Sequence, residues 1–180
     1  LKLARPAEAM TALRQAIQKA PRLASAHFNM ANIYQQAEQL DQAAGSYKTV
    51  LDLEPGHLAA QANLALVHLR QDRLDEAEAG FRLITEKAPD DPAAFNNLSQ
   101  TRYQQGAFQA AVSASDGALA ADPGNRAALA NKIIILNEMA DKAGADYLQN
   151  FAAFVTADLI AAPPGYDSIA AFNDALFREV

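Results

Sequence analysis

Two stretches decide the fold: "FNMANIYQQAEQLDQAAGSYKTVLDLEP", Phe28 to Pro55, and "ANLALVHLRQDRLDEAEAGFRLITEKAP", Ala62 to Pro89. They share few letters, yet Asn, Ala, an acidic turn, a second Ala, an aromatic and Pro fall at the same offsets. Working outward, Pro21, Pro55, Pro89 and Pro123 stand 34 residues apart and the chain falls into columns. One column reads Asn29, Asn63, Asn97, Asn131, and a small-residue column reads Ala31, Ala65, Ser99, Ile133. A third reads Ala9, Ala43, Ala77, Ala111, and a fourth, four residues later, Leu13, Tyr47, Phe81, Ser115. A fixed period of this length marks an array of supersecondary units.

Between prolines the apolar spacing is helical. Leu64, Ala65, His68 and Leu69 mark one face of a first helix; Ala77, Phe81 and Ile84 mark a second. The polar stretch "QDRLD" separates them, and the proline ends the second helix and restricts the residue before it. Each unit is therefore helix, turn, helix. The expected helices are 6–20, 24–37, 41–53, 58–71, 75–87, 92–105, 109–121, 126–139 and 143–153. One hairpin cannot bury both its faces, so the units must stack into an all-α solenoid.

Composition sets limits on function. Half the chain of 180 residues is apolar, with abundant Ala and no Trp or Cys. Without Cys, thiol catalysis and thiolate metal sites are excluded. A net charge of -6 argues against a nucleic-acid surface, which needs a concentrated basic face. No apolar run is long enough to span a bilayer and no signal-peptide pattern is present, so no membrane partner is expected and a cytoplasmic location is. The opening Leu1 points to a piece of something longer.

These columns resemble the tetratricopeptide repeat (TPR) family, from residue 6 to about 150. There are departures. The large aromatic near the start of each unit is His27, Gln61, Phe95 and Leu129, and the glycine before the turn is kept only at Gly106, with Ala37 and Asp72 elsewhere. The resemblance implies a right-handed superhelix of antiparallel helix pairs. Its divisions are 1–22, the second helix of a truncated repeat; repeats at 23–56, 57–90 and 91–124; a degenerate repeat at 125–154; and 155–180, a linker with a last helix. It also implies a concave face lined by first helices, which holds an extended peptide. The groove residues so implied are Asn29, Asn32, Asn63, Leu66, Arg70, Asn97, Gln100, Tyr103 and Asn131. Phe28, Gln35, Gln104 and Ile134 stand beside them. The Asn column has two open readings: bonds between helices, or an asparagine ladder whose amides pair with the peptide backbone. A basic clamp for acidic chain ends would need several Lys and Arg there, and only Arg70 is basic.

Catalytic chemistry is hard to find. His27 and His68 occupy columns of core aromatics, and His57 falls in a turn where solvent is expected. Asp75-Glu76 and Asp90-Asp91 are placed to serve helix N-termini. No cofactor or metal is expected. Met10, Leu13 and Ile17 form an apolar row on the first helix, for which self-association is expected. In the tail, "PPGYDSIAAFNDAL" resembles the junction to a 2-oxoglutarate/Fe(II)-dependent oxygenase domain, through Phe172, Asn173, Ala175 and Leu176. Two functions follow: a non-catalytic module binding a protein or peptide partner, or the partner-binding arm of such an oxygenase.

Overall fold

The structure, a computed structural model, describes residues 6–139. Among them the chain forms eight helices and no strand: α1 Pro6–Lys19, α2 Ala24–Gln36, α3 Leu40–Leu53, α4 Leu58–Arg70, α5 Leu74–Lys87, α6 Pro92–Gln104, α7 Phe108–Ala121 and α8 Arg126–Glu138. Each lies within about a residue of the span read from the 34-residue period. The helix expected at 143–153 and the oxygenase-like junction lie outside the described residues.

Local chemistry explains the boundaries. Asp91 caps α6, its carboxylate accepting from the amides of Ala93 and Ala94, and Pro92 takes the first helical position, where its missing N–H costs nothing. Asn125 caps α8 by accepting from Ala128. His57 does the same for α4, its Nδ1 accepting from Ala60 at 3.1 Å while its ring stacks on Phe28. The histidine expected in solvent is therefore a half-buried cap. The turns inside each pair share one conformation, with Glu38, Asp72 and Gly106 all in the left-handed region. The first of these is Glu38, one residue past the Ala37 expected from the alignment. Only Gly106 adopts it without a Cβ penalty.

Helices pack in sequential pairs, α2 on α3, α4 on α5 and α6 on α7, and each second helix then meets the next first helix. The alanine columns make this possible: Ala31, Ala43, Ala77 and Ala111 are fully buried and Ala65 nearly so. The approach is close where α5 crosses α4. A Cβ on Gly80 would stand 2.7 Å from the Cβ of Ala65. In the next pair a Cβ on Gly117 would strike the ring of Phe95 at 2.5 Å. Repeats are also tied by polar bonds at one register: Gln71 donates to Asp41 at 2.7 Å, and Gln105 donates to Asp75 at 3.1 Å. On α1, Met10, Leu13 and Ile17 are half-buried, and Ala7, Thr11 and Ala12 are among the exposed residues.

Candidate functional site

The first helices α4, α6 and α8 touch one another in succession, whereas α3, α5 and α7 make no comparable contact among themselves. A stack closer on one side curves toward that side, so α4, α6 and α8 line the inner face, and α2 takes the same place one repeat earlier. The groove residues read from the sequence all lie on these four helices, and the structure sorts them into three environments.

At the α2–α4 junction the inner face is closed by an aromatic from behind. Tyr47 of α3 is fully buried, edge-on to Phe28 at 5.8 Å between ring centres. Its hydroxyl lies 2.6 Å from Asn32 Oδ1 and 2.6 Å from Gln35 Oε1, and having one proton it donates to one at a time. Asn63 of α4 donates to the same Asn32 oxygen at 3.3 Å. Burial pushes the phenol's pKa up, with hydrogen bonding by the Asn63 amide opposing.

At the α4–α6 junction the corresponding aromatic is Phe81, also fully buried, which has no hydroxyl. It packs in a cluster with Leu98, Leu66 and Leu69, the last two standing where the first junction has the amides of Asn32 and Gln35, while Asn97 keeps the amide of Asn63. Arg70, the one basic groove residue, is paired with Glu38 of the preceding repeat. Asn97 is half-buried and Asn29 is exposed.

The α6–α8 junction is open. A cavity of about 330 Å³ lies there, lined by Ser99, Gln100, Tyr103 and Gln104 of α6 and by Asn131, Ile134 and Ile135 of α8. Three sequence-derived groove residues, Gln100, Tyr103 and Asn131, meet in it. Ile134 is 51% exposed, the most exposed large apolar side chain among the described residues. Tyr103 leans on Phe108 at 5.8 Å between ring centres. Behind the cavity, Ser99 Oγ donates to the Ala111 carbonyl at 2.9 Å and lies 2.8 Å from Ser115 Oγ, both serines being fully buried. Ser99 was not among the groove residues read from the sequence. The signal was present, since the small-residue column and the aromatic column both turn to serine in the same repeat.

Elsewhere, His68 of α4 is buried with Nε2 unpartnered. Burial pushes its pKa down, Arg73 and Lys48 add to this, and Glu76 opposes. Asn96 donates to the capping Asn125 at 3.1 Å, leaving its own Oδ1 buried and unpaired. No group of three His, Cys, Asp or Glu able to hold a metal comes together among the described residues. Nor is any described helix long and apolar enough to cross a membrane.

Residues 35–100 and 81–126 each match a tetratricopeptide repeat family. Solved structures agree in fold. MamA from Desulfovibrio magneticus RS-1, residues 41 to the end, is 18% identical with a TM-score of 0.76, covering 86% of this chain and 88% of that one. A tetratricopeptide repeat protein from Parabacteroides merdae is 16% identical with a TM-score of 0.75, over 81% of this chain and 58% of that one. The first TPR of Spaghetti (RPAP3), bound to the HSP90 peptide SRMEEVD, is 20% identical with a TM-score of 0.62, over 65% of this chain and 93% of that one. No curated protein matches in sequence. The chain thus carries tetratricopeptide repeats, and its described helices form an all-α TPR solenoid.

Proposed function

We propose that this tetratricopeptide-repeat solenoid is a non-catalytic interaction module that holds an extended segment of a partner protein along α2, α4, α6 and α8. The observation that carries the reading is the α6–α8 cavity, where Ile134 stands open between Tyr103 and the amides of Gln100 and Asn131. Uncovered apolar surface rimmed by hydrogen-bonding groups is the usual composition of a recognition site. One structural neighbour is itself bound to a peptide. The chemistry there differs from a clamp for acidic tails, because Arg70 is already engaged by Glu38 and no charged side chain lines the cavity.

The test is selection of displayed random peptides on the immobilised chain, followed by titration of the enriched sequences. Ile134→Asp is expected to weaken them at least tenfold, by placing a charge in a site that takes apolar surface. Ser113→Lys, on the exposed side of α7, is expected to leave affinity unchanged. Enriched peptides that bind Ile134→Asp as well as the parent chain overturn the reading.

A further inference from the structure

The three junctions of the inner face are one structural position repeated, so each shows what the others are shaped to hold. At the first junction, the space among Asn32, Gln35 and Asn63 is occupied by the ring and hydroxyl of Tyr47. At the second, Leu66 and Leu69 stand in register with Asn32 and Gln35, Asn97 with Asn63, and the occupant is Phe81, which lacks a hydroxyl. Two of the three lining positions therefore follow the occupant, amides facing a phenol and leucines a phenyl ring, and the third is Asn in both. At the third, Gln100, Tyr103 and Asn131 stand where Asn32, Gln35 and Asn63 stand in the first, and the aromatic position is Ser115. Ser115 turns to Ser99 and does not reach the inner face. What remains is a cavity of about 330 Å³ open to the groove.

We propose that this cavity receives an aromatic side chain bearing a hydroxyl, a tyrosine of the bound partner segment, entering from the groove to the place that Tyr47 fills from within at the first junction. The inference rests on the groove reading for the identity of its partner. The amide lining supplies both the argument for an aromatic with a polar tip and the argument against an ionised one. Gln100 and Asn131 donate and accept equally well and meet a phenol in either sense. A phosphorylated tyrosine would bring close to two negative charges into a site without a cation. Apolar area comes from Ile134 and Ile135, against which one ring face can lie. The chain's own net charge of -6 adds to the discrimination against anions.

The experiment uses the full chain, labelled with ¹⁵N, and two soluble probes, N-acetyl-tyrosinamide and N-acetyl-phenylalaninamide. The tyrosine probe is expected to shift the side-chain amide signals of Gln100 and Asn131 and to bind about two- to tenfold tighter than the phenylalanine probe, the effect of one neutral hydrogen bond. Ser115→Tyr fills the cavity from behind and is expected to abolish the shifts while helical content is kept. Should that variant not fold, Gln100→Ala/Asn131→Ala serves instead, and is expected to equalise the two probes without weakening the phenylalanine one. Equal binding of both probes to the parent chain, or no shift at these amides up to the probes' solubility, overturns the inference. Selected groove-binding peptides with no aromatic at a fixed position overturn it too and leave the groove reading standing. Tyrosine-probe binding with no peptide selected overturns the groove reading and leaves the cavity assigned.

Discussion

The α2–α4 and α6–α8 junctions share one register of the 34-residue period, and they differ in where an aromatic comes from. In the first, Tyr47 rises from the second helix, is fully buried and meets Asn32 and Gln35 at 2.6 Å. In the third, Ser115 occupies that position and spends its hydroxyl on Ser99. That repeat finds its aromatic elsewhere, in Phe95 of α6, whose ring lies where a Cβ on Gly117 would go. The first junction is thus closed from inside and contributes stability, and the third is left open to the groove. In a solenoid each unit contacts only its neighbours, so one junction can open without loosening the other two.

The sharpest way to break this comparison is to make the first junction resemble the third. Tyr47→Ser removes a fully buried ring and leaves three amides without its hydroxyl. A loss of about 3–5 kcal/mol is expected, in the range for deleting buried aromatics, read as a fall in the urea midpoint. Hydrogen exchange should show α2 and α3 losing protection before α6 and α7. A loss under about 1 kcal/mol, or uniform loss of protection, would mean that the ring does not hold the junction closed.

How far these differences were legible follows from what each depends on. Helix limits depend on spacing within a segment, and the period placed Leu40–Leu53 and Leu74–Lys87 to within a residue. The columns also showed Tyr47, Phe81 and Ser115 in one register. Their consequence was not legible, because it depends on a hydroxyl reaching across to two other helices and on Ser115 turning inward. His57 escaped for a similar reason: a turn residue looks solvated until its Nδ1 finds an amide at the next helix start. Arg70 was read as a groove cation, and only the packing of consecutive turns reveals its pairing with Glu38.

The second junction sharpens the comparison in another column. Where the first repeat has Tyr34 and the third Arg102, the second has His68, buried with Nε2 unpartnered. Burial first, then Arg73 and Lys48, hold its pKa below the usual histidine value, with Glu76 opposing. The unfolded chain therefore binds a proton that the folded chain does not, and stability falls as pH drops through the ordinary histidine range toward the lowered folded pKa. The slope is at most that of one proton, about 1.4 kcal/mol per pH unit. Melting curves between pH 8 and about pH 5 should show this fall, and His68→Phe should flatten it. A parent slope retained in full by His68→Phe would assign the dependence to other groups.

The smallest expected effect separates two members of one column. Asn63 donates to Asn32 at 3.3 Å and lies at the edge of the Tyr47 cluster. Asn97 takes the same place one junction later, beside Phe81 and leucines, and its side chain has no hydrogen-bond partner among the described residues. If the Asn column served one purpose, Asn63→Ala and Asn97→Ala would act alike. The junctions argue otherwise. Asn63→Ala deletes a bond between repeats at a long donor–acceptor distance and should cost about 0.5–1.5 kcal/mol, toward the lower end. Asn97→Ala should leave the melting temperature nearly unchanged, since its amide keeps its exposure to the groove, and should instead weaken a bound peptide about two- to tenfold if that amide pairs with peptide backbone. Because a backbone contact is blind to side chains, that weakening should be similar across peptides of different sequence. Equal thermal shifts in the two variants would show that the column acts as a unit. Loss of stability at Asn97 with binding preserved would retire the asparagine-ladder role at that position.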